Sequence, residues 1–224
     1  MMEAGRIDDF FDESDLDQCL KYFTAFKEKT EPGTGQTFTG INQQHPFYGW
    51  FHKLIFSKIQ YKFGEDVQLL FAALLDSDLP LDVHSDYYHK RLGEPFMAFL
   101  IPLNVNGSKH GMDRASTIVF DQTDTYVDES DHRSKRSRPP AQYLDLPVLE
   151  SNATHLSDSM LSHCDPRVLS RLSVKSIMDW QPNSLLFWDE RLMHCSNDYK
   201  KNGVLKKQAI VIHSYKSINN DRGI

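Results

Sequence analysis

From residue 66 onward the chain is cut into short apolar or alternating runs, each closed by Gly, Pro, Asn or Asp. They are Leu81–Tyr88, Phe96–Leu103, Ser116–Phe120, Ser184–Trp188 and Gln208–Tyr215. Runs this short suit strands crossing a core, and their recurrence predicts an antiparallel sandwich or barrel. Val67–Leu75 is continuously apolar and reads as strand or helix by periodicity alone. Ahead of these runs the pattern is helical. Ser14 is placed to cap a first helix, with Asp15 and Asp17 at its positive end and Leu16, Cys19, Leu20, Phe23 and Phe26 along one face. The stretch Glu31–Gly35 breaks it, and a second helix is expected from Pro46 to Lys62, with Gly64 as its stop.

The stretch from Asp121 to Met178 lacks this punctuation. It is polar, contains a basic segment between Arg133 and Arg138, and has one short expected helix from Pro166 to Leu172. A connection this long reads as an insertion, a lid or a substrate-selecting surface. The expected organisation is a single domain over 1–224. Residues 1–65 form helical support, 66–120 and 179–216 the core, and 121–178 the insertion.

Charge and cysteine usage narrow the function. With 25 Lys+Arg against 31 Asp+Glu, the net charge of -6 weighs against a nucleic-acid partner, whose phosphates demand Lys and Arg. Cys19, Cys164 and Cys195 form no CxxC pair, which argues for reduced thiols and a cytoplasmic location. Met1–Asp9 does not read as a secretory signal, and the apolar runs are too short for a membrane span.

Ten His residues invite a search for ligand spacing. His-x-Asp occurs twice, as His84-Ser85-Asp86 and His163-Cys164-Asp165. The first lies in an expected strand, where residues i and i+2 share a face, so an imidazole and a carboxylate project into one cavity. The second runs into Pro166, where Asp165 more naturally starts a helix. His194, after the buried run Leu185–Trp188, is the third candidate. Two His and one carboxylate make a facial triad that leaves positions open on an octahedral ion, suited to Fe(II) oxygen chemistry. Phe99, Phe187 and Trp188 read as core, His213 has no evident partner, and one of Tyr87 and Tyr88 is expected to line the cavity.

The order His-x-Asp, a long interval, Pro182-x-Ser184-Leu185-Leu186-Phe187 before His194, then a basic residue on the last core strand resembles the Fe(II)/2-oxoglutarate-dependent dioxygenases, with a looser likeness to prolyl-hydroxylase-like members at Gly111–Phe120. The resemblance covers roughly Val67 to Tyr215. It implies a mainly β fold, a double-stranded β-helix (jelly-roll, cupin-like) core with N-terminal helices. It implies Fe(II) on His84, Asp86 and His194, with 2-oxoglutarate and O2 as cosubstrates. The family's basic residue for the distal carboxylate falls on Lys207 or Lys206. Lys207 is favoured because period two then brings Ala209 inside as well. Related halogenases lack the carboxylate that Asp86 supplies, so the resemblance implies hydroxylation or another oxidation of a small molecule or a protein side chain. A jelly-roll binding module with an unused metal site, and a cupin-like metalloenzyme without 2-oxoglutarate, remain the alternatives.

Overall fold

The computed structural model describes residues 3–26, 35–86, 94–107, 115–123, 144 and 146–217. In chain order the strands are β1 (Ala4–Ile7), β2 (Gln36–Gly40), β3 (Val67–Ser77), β4 (Glu94–Gly107), β5 (Ser116–Thr123), β6 (Val174–Asp179), β7 (Leu185–Asp189), β8 (Leu192–Ser196) and β9 (Val204–Lys216). The helices are α1 (Glu13–Phe26), α2 (Tyr48–Trp50), α3 (Ser57–Phe63) and α4 (Pro166–Leu169), with a π-helical turn over Phe51–Phe56 joining α2 to α3.

Two antiparallel sheets face each other. The larger has the order β1-β7-β4-β9-β3-β2 and the smaller β6-β5-β8, the arrangement of a double-stranded β-helix. β9 lies at the centre of the larger sheet because both its faces are apolar. Ile210 and Ile212 turn toward the helices and pack with Phe51, Ile55, Ile59 and Phe99. Ala209 and Val211 turn between the sheets toward Leu75, Leu100 and Trp188. Full burial of an Ile side chain contributes about 1.5–3 kcal/mol, so this strand anchors both layers.

The N-terminal segment departs from the expected start. β1 precedes α1 and pairs with β7, placing Gly5 opposite Phe187. A Cβ at Gly5 would stand 2.7 Å from the Phe187 ring, so the close approach needs glycine. α1 is capped by Asp12, whose Oδ1 accepts the Asp15 N–H at 2.8 Å, and Ser14 lies inside the first turn. The second helical stretch begins at Tyr48, two residues after Pro46, and stops at Gly64 (φ 121°) as expected. β2 was not signalled by the sequence. It is a strand of five residues that, among the described residues, pairs only with β3 at the sheet edge.

Within 121–178 the structure differs from the expectation in two ways. Val174–Asp179 is a strand, pairing with β5 as an edge of the smaller sheet. Residues Ala153 to Leu172 pack on the outer face of that sheet, where Leu161, Val168, Leu169 and Leu172 join Ile118 and Phe120. α4 is shorter than expected but starts as predicted, with Asp165 as cap and Pro166 in its first turn. Residues 124–143, with the basic segment, lie outside the described residues.

One turn positions the N-terminus. Asn183, in the bend before β7, has φ 68°. Its side chain accepts the Phe11 N–H at 2.7 Å and donates to the Phe11 carbonyl at 2.9 Å. Asn tolerates the left-handed region better than most residues, so conformation and hydrogen bonding select it together.

Candidate metal centre and adjoining cleft

Leu81–Tyr88 was expected to be a strand. Leu81–Asp86 instead runs beside β8 as an irregular ribbon that pairs at separated points, and Tyr87 and Tyr88 lie outside the described residues. The His84 N–H donates to the His194 carbonyl at 3.0 Å and the His194 N–H to the His84 carbonyl at 2.8 Å. The Asp86 N–H donates to the Glu190 carbonyl at 3.2 Å. The single bridge keeps the i, i+2 geometry at the one place where it is needed.

These contacts bring three side chains together. The ligand atoms of His84, Asp86 and His194 all lie within 4.8 Å of one another. Nε2 of His194 is 3.2 Å from Asp86 Oδ2, and Nε2 of His84 is 3.8 Å from Asp86 Oδ1. The distal nitrogens are fixed from behind. Nδ1–H of His84 donates to the Asp82 carbonyl at 2.8 Å, and Nδ1–H of His194 to the Leu192 carbonyl at 3.1 Å. With Nδ1 engaged, each ring offers its Nε2 lone pair to the shared centre, the support that metal-bound imidazoles need. Burial, reinforced by His194, pushes His84 down to about 4, keeping it neutral and able to bind a metal. Burial alone would raise the Asp86 carboxyl, but the imidazoles of His194, His213 and His84 hold it well below the carboxylate range. The donor set therefore fits a divalent ion with open coordination positions.

The competing pair is occupied otherwise. Asp165 accepts the Arg167 N–H at 2.8 Å and ion-pairs with its guanidinium at 2.6 Å. His163 Nε2 lies 3.3 Å from the Leu81 carbonyl oxygen.

The centre opens on a cleft between the sheets, and Lys207 lines it. Lys207 is 2% exposed. Its Nζ lies 4.0 Å from the centroid of the Trp180 ring and 4.4 Å from that of Tyr199. Among the described residues no carboxylate forms an ion pair with it, and burial pushes its ammonium down to about 7. Ser77, opposite it on β3, and Thr117 also line this part of the cleft. Lys206 projects from the other face of β9. Its Nζ pairs with Asp76 at 3.0 Å, and Asp76 also accepts from Gln208 Nε2 at 3.1 Å.

Three cleft features were not read from the sequence. His213 shares the inward face of β9 with Lys207, and its Nδ1 stands 3.5 Å from Oε1 of the buried Glu190. Burial opposes protonation of His213, but Asp86 and Glu190 outweigh it and raise its affinity for a proton. Glu190 is itself held by the Ser214 N–H at 3.1 Å. Trp188, expected to be plain core, is 3% exposed and lines the cleft. Among the described residues its indole N–H has no hydrogen-bond partner. Period two counted from Lys207 reaches His213; Glu190 and Trp188 carry no such signal. Phe99 is core, as expected.

No protein-family model matches the chain, and no curated protein does. Solved structures do share its fold. The α-ketoglutarate-dependent epimerase SnoN from nogalamycin biosynthesis superposes with a TM-score of 0.57 at 9% identity, covering 95% of this chain and 78% of that one. HygX from Streptomyces hygroscopicus, with nickel and 2-oxoglutarate bound, gives 0.53 at 12% identity over 97% of this chain and 84% of that one. The carbocyclase SnoK from nogalamycin biosynthesis gives 0.53 at 13% identity over 99% and 85%. The chain therefore shares the double-stranded β-helix fold of these structures. Among the described residues no helix is long and apolar enough to cross a membrane.

Proposed function

We propose that this chain is an Fe(II)- and 2-oxoglutarate-dependent oxygenase that hydroxylates, or otherwise oxidises, a C–H bond of a small molecule or protein side chain. The observation that carries the reading is the pairing of two features in one cleft. The Nε2 atoms of His84 and His194 converge on the Asp86 carboxylate, and among the described residues no carboxylate pairs with the buried Lys207 amine. A metal alone accounts for the first feature. An anionic ligand suits the second, because a buried ammonium is stabilised by pairing. Similar structures hold nickel with 2-oxoglutarate or iron, which supports the same pair of ligands here.

In this reading His84, Asp86 and His194 hold Fe(II), and Lys207, with Ser77 and Thr117 beside it, binds the distal carboxylate of 2-oxoglutarate. The bound metal and cosubstrate supply the chemistry R–H + 2-oxoglutarate + O2 → R–OH + succinate + CO2. The protein's part is orientation and exclusion. The Asp82 and Leu192 carbonyls fix the imidazole planes, the Trp180 and Tyr199 rings keep water from Lys207, and the apolar sheet faces dry the cleft.

The test is succinate release with Fe(II), ascorbate and 2-oxoglutarate, screened over a panel of metabolites and peptides. Succinate formation abolished by His84→Ala is expected. A cupin-like metalloenzyme without 2-oxoglutarate predicts turnover that Lys207→Ala leaves untouched, and a binding module predicts no succinate with any panel member.

A further inference from the structure

A lysine ammonium is a point charge on a flexible four-carbon stem, so unlike the planar fork of arginine it does not by itself fix where an anion sits. Here the stem is held. Lys207 rises from β9 between Ser77 on β3 and Val105 on β4, its neighbours in register. Two rings lie against its tip, with Nζ 4.0 Å from the Trp180 centroid and 4.4 Å from that of Tyr199. The rings arrive from different parts of the chain, Trp180 directly after β6 and Tyr199 from the turn between β8 and β9. Both are buried.

Each ring is tied at its polar edge, which holds its face in place. The Trp180 indole N–H donates to Thr117 Oγ1 at 2.9 Å, and the Trp180 backbone N–H to the Ala115 carbonyl at 2.7 Å. The Tyr199 hydroxyl donates to Ser77 Oγ at 3.1 Å, and the Tyr199 carbonyl accepts the Val204 N–H at 2.9 Å. Val105, Val204 and Ala209 pack in the same apolar cluster as the two rings. A cation is attracted to ring faces, and the attraction strengthens when water is kept away. The cage therefore gives Lys207 what its own side chain lacks, one place for Nζ relative to the His84–Asp86–His194 group in the same cleft. A ligand that bridges the two must match that separation, and one methylene more or less in a fitted apolar pocket changes affinity about 10–200-fold.

We infer, resting on the oxygenase reading of the cleft, that Trp180 and Tyr199 are positioning residues that set which 2-oxoacid the protein accepts. By fixing Nζ of Lys207 they select a distal carboxylate at the reach of 2-oxoglutarate, and they act through Lys207 rather than on the metal. Without the rings the lysine stem follows a longer acid, and the selection is lost.

The experiment uses the whole chain, loaded anaerobically with Fe(II) and titrated calorimetrically with 2-oxoglutarate and with 2-oxoadipate, which is one methylene longer. The native chain should bind 2-oxoglutarate at least tenfold tighter than 2-oxoadipate. Trp180→Leu and Tyr199→Leu should each shrink that gap at least threefold while leaving Fe(II) affinity within twofold, whereas general damage to the fold would move Fe(II) affinity as well. Trp180→Phe, whose smaller ring cannot bond Thr117, is the milder substitution and is judged by the same threefold criterion should a Leu variant fail to fold. A native gap under tenfold, or a gap that shrinks less than threefold in the variants that still bind Fe(II), overturns the inference. A native chain that takes up no Fe(II), or that binds neither acid once loaded, instead overturns the oxygenase reading, so the two failures are distinct.

Discussion

Replacing Lys207 by Met separates a binding role from a structural one, because the two predict opposite signs. In the free protein the ammonium is buried, boxed by Trp180 and Tyr199, with burial pushing it from 10.5 to about 7. Between those values the unfolded chain binds more protons than the folded one, so the stability of the free protein rises with pH across that window. The slope approaches about 1.4 kcal/mol per pH unit. Met fills a similar volume without charge, so Lys207→Met should leave the free protein equally or more stable near pH 7 and abolish that slope. Affinity for 2-oxoglutarate should move the other way. Removing one partner of a buried charge pair costs about 2–5 kcal/mol, roughly 30-fold to several thousandfold in Kd. In the native protein, binding should also take up close to one proton at pH 8, since the anion restores the ammonium. Calorimetry in two buffers of different ionisation enthalpy reads the affinity and the proton together, and thermal unfolding from pH 7 to 9 reads the slope. A Kd within threefold of the native value, or binding without proton uptake, would refute the assignment of Lys207.

Lys206→Ala should leave 2-oxoglutarate affinity within twofold, because its ammonium lies on the other face of β9 against Asp76; denaturant unfolding should register a loss of about 1–3 kcal/mol from weakening a buried carboxylate's pairing. His84→Ala and Asp86→Ala should each lower Fe(II) affinity by at least 100-fold in an anaerobic titration, with far-UV circular dichroism unchanged. Asn183→Ala removes two hydrogen bonds to Phe11 and leaves Ala at φ 68°, so a loss of about 2–3 kcal/mol in urea is expected. A loss under 0.5 kcal/mol would show that the N-terminal strap is not held there.

What could be read from the sequence follows burial. β4 and β9 are covered on both faces by helices and the opposing sheet, so their apolar runs stand out. β1, β2 and β6 are short edge strands with half-exposed residues such as Gln36–Gly40, and they carry neither a run nor a clean alternation. Asp12 and Ser14 are equally good caps by residue type, and the choice between them depends on where β1 delivers the chain. At the cleft, period two put His84 and Asp86 on one face, while Lys207 came from the family resemblance, with period two preferring it to Lys206. Period two survives even where only an isolated bridge forms, which is why Leu81–Asp86 is not a strand while the side chains of His84 and Asp86 still converge. Glu190 lies in the turn between β7 and β8, and Trp180 and Tyr199 reach Lys207 from separate segments. Such contacts are tertiary, with no local signature.

The most direct test of the oxygenase reading is an anaerobic titration of Fe(II) into the native chain, followed by 2-oxoglutarate. The predicted result is one Fe(II) per chain, tight 2-oxoglutarate binding only once the metal is present, and loss of both in His84→Ala. Absence of Fe(II) affinity, or 2-oxoglutarate binding of equal strength with and without the metal, would contradict it.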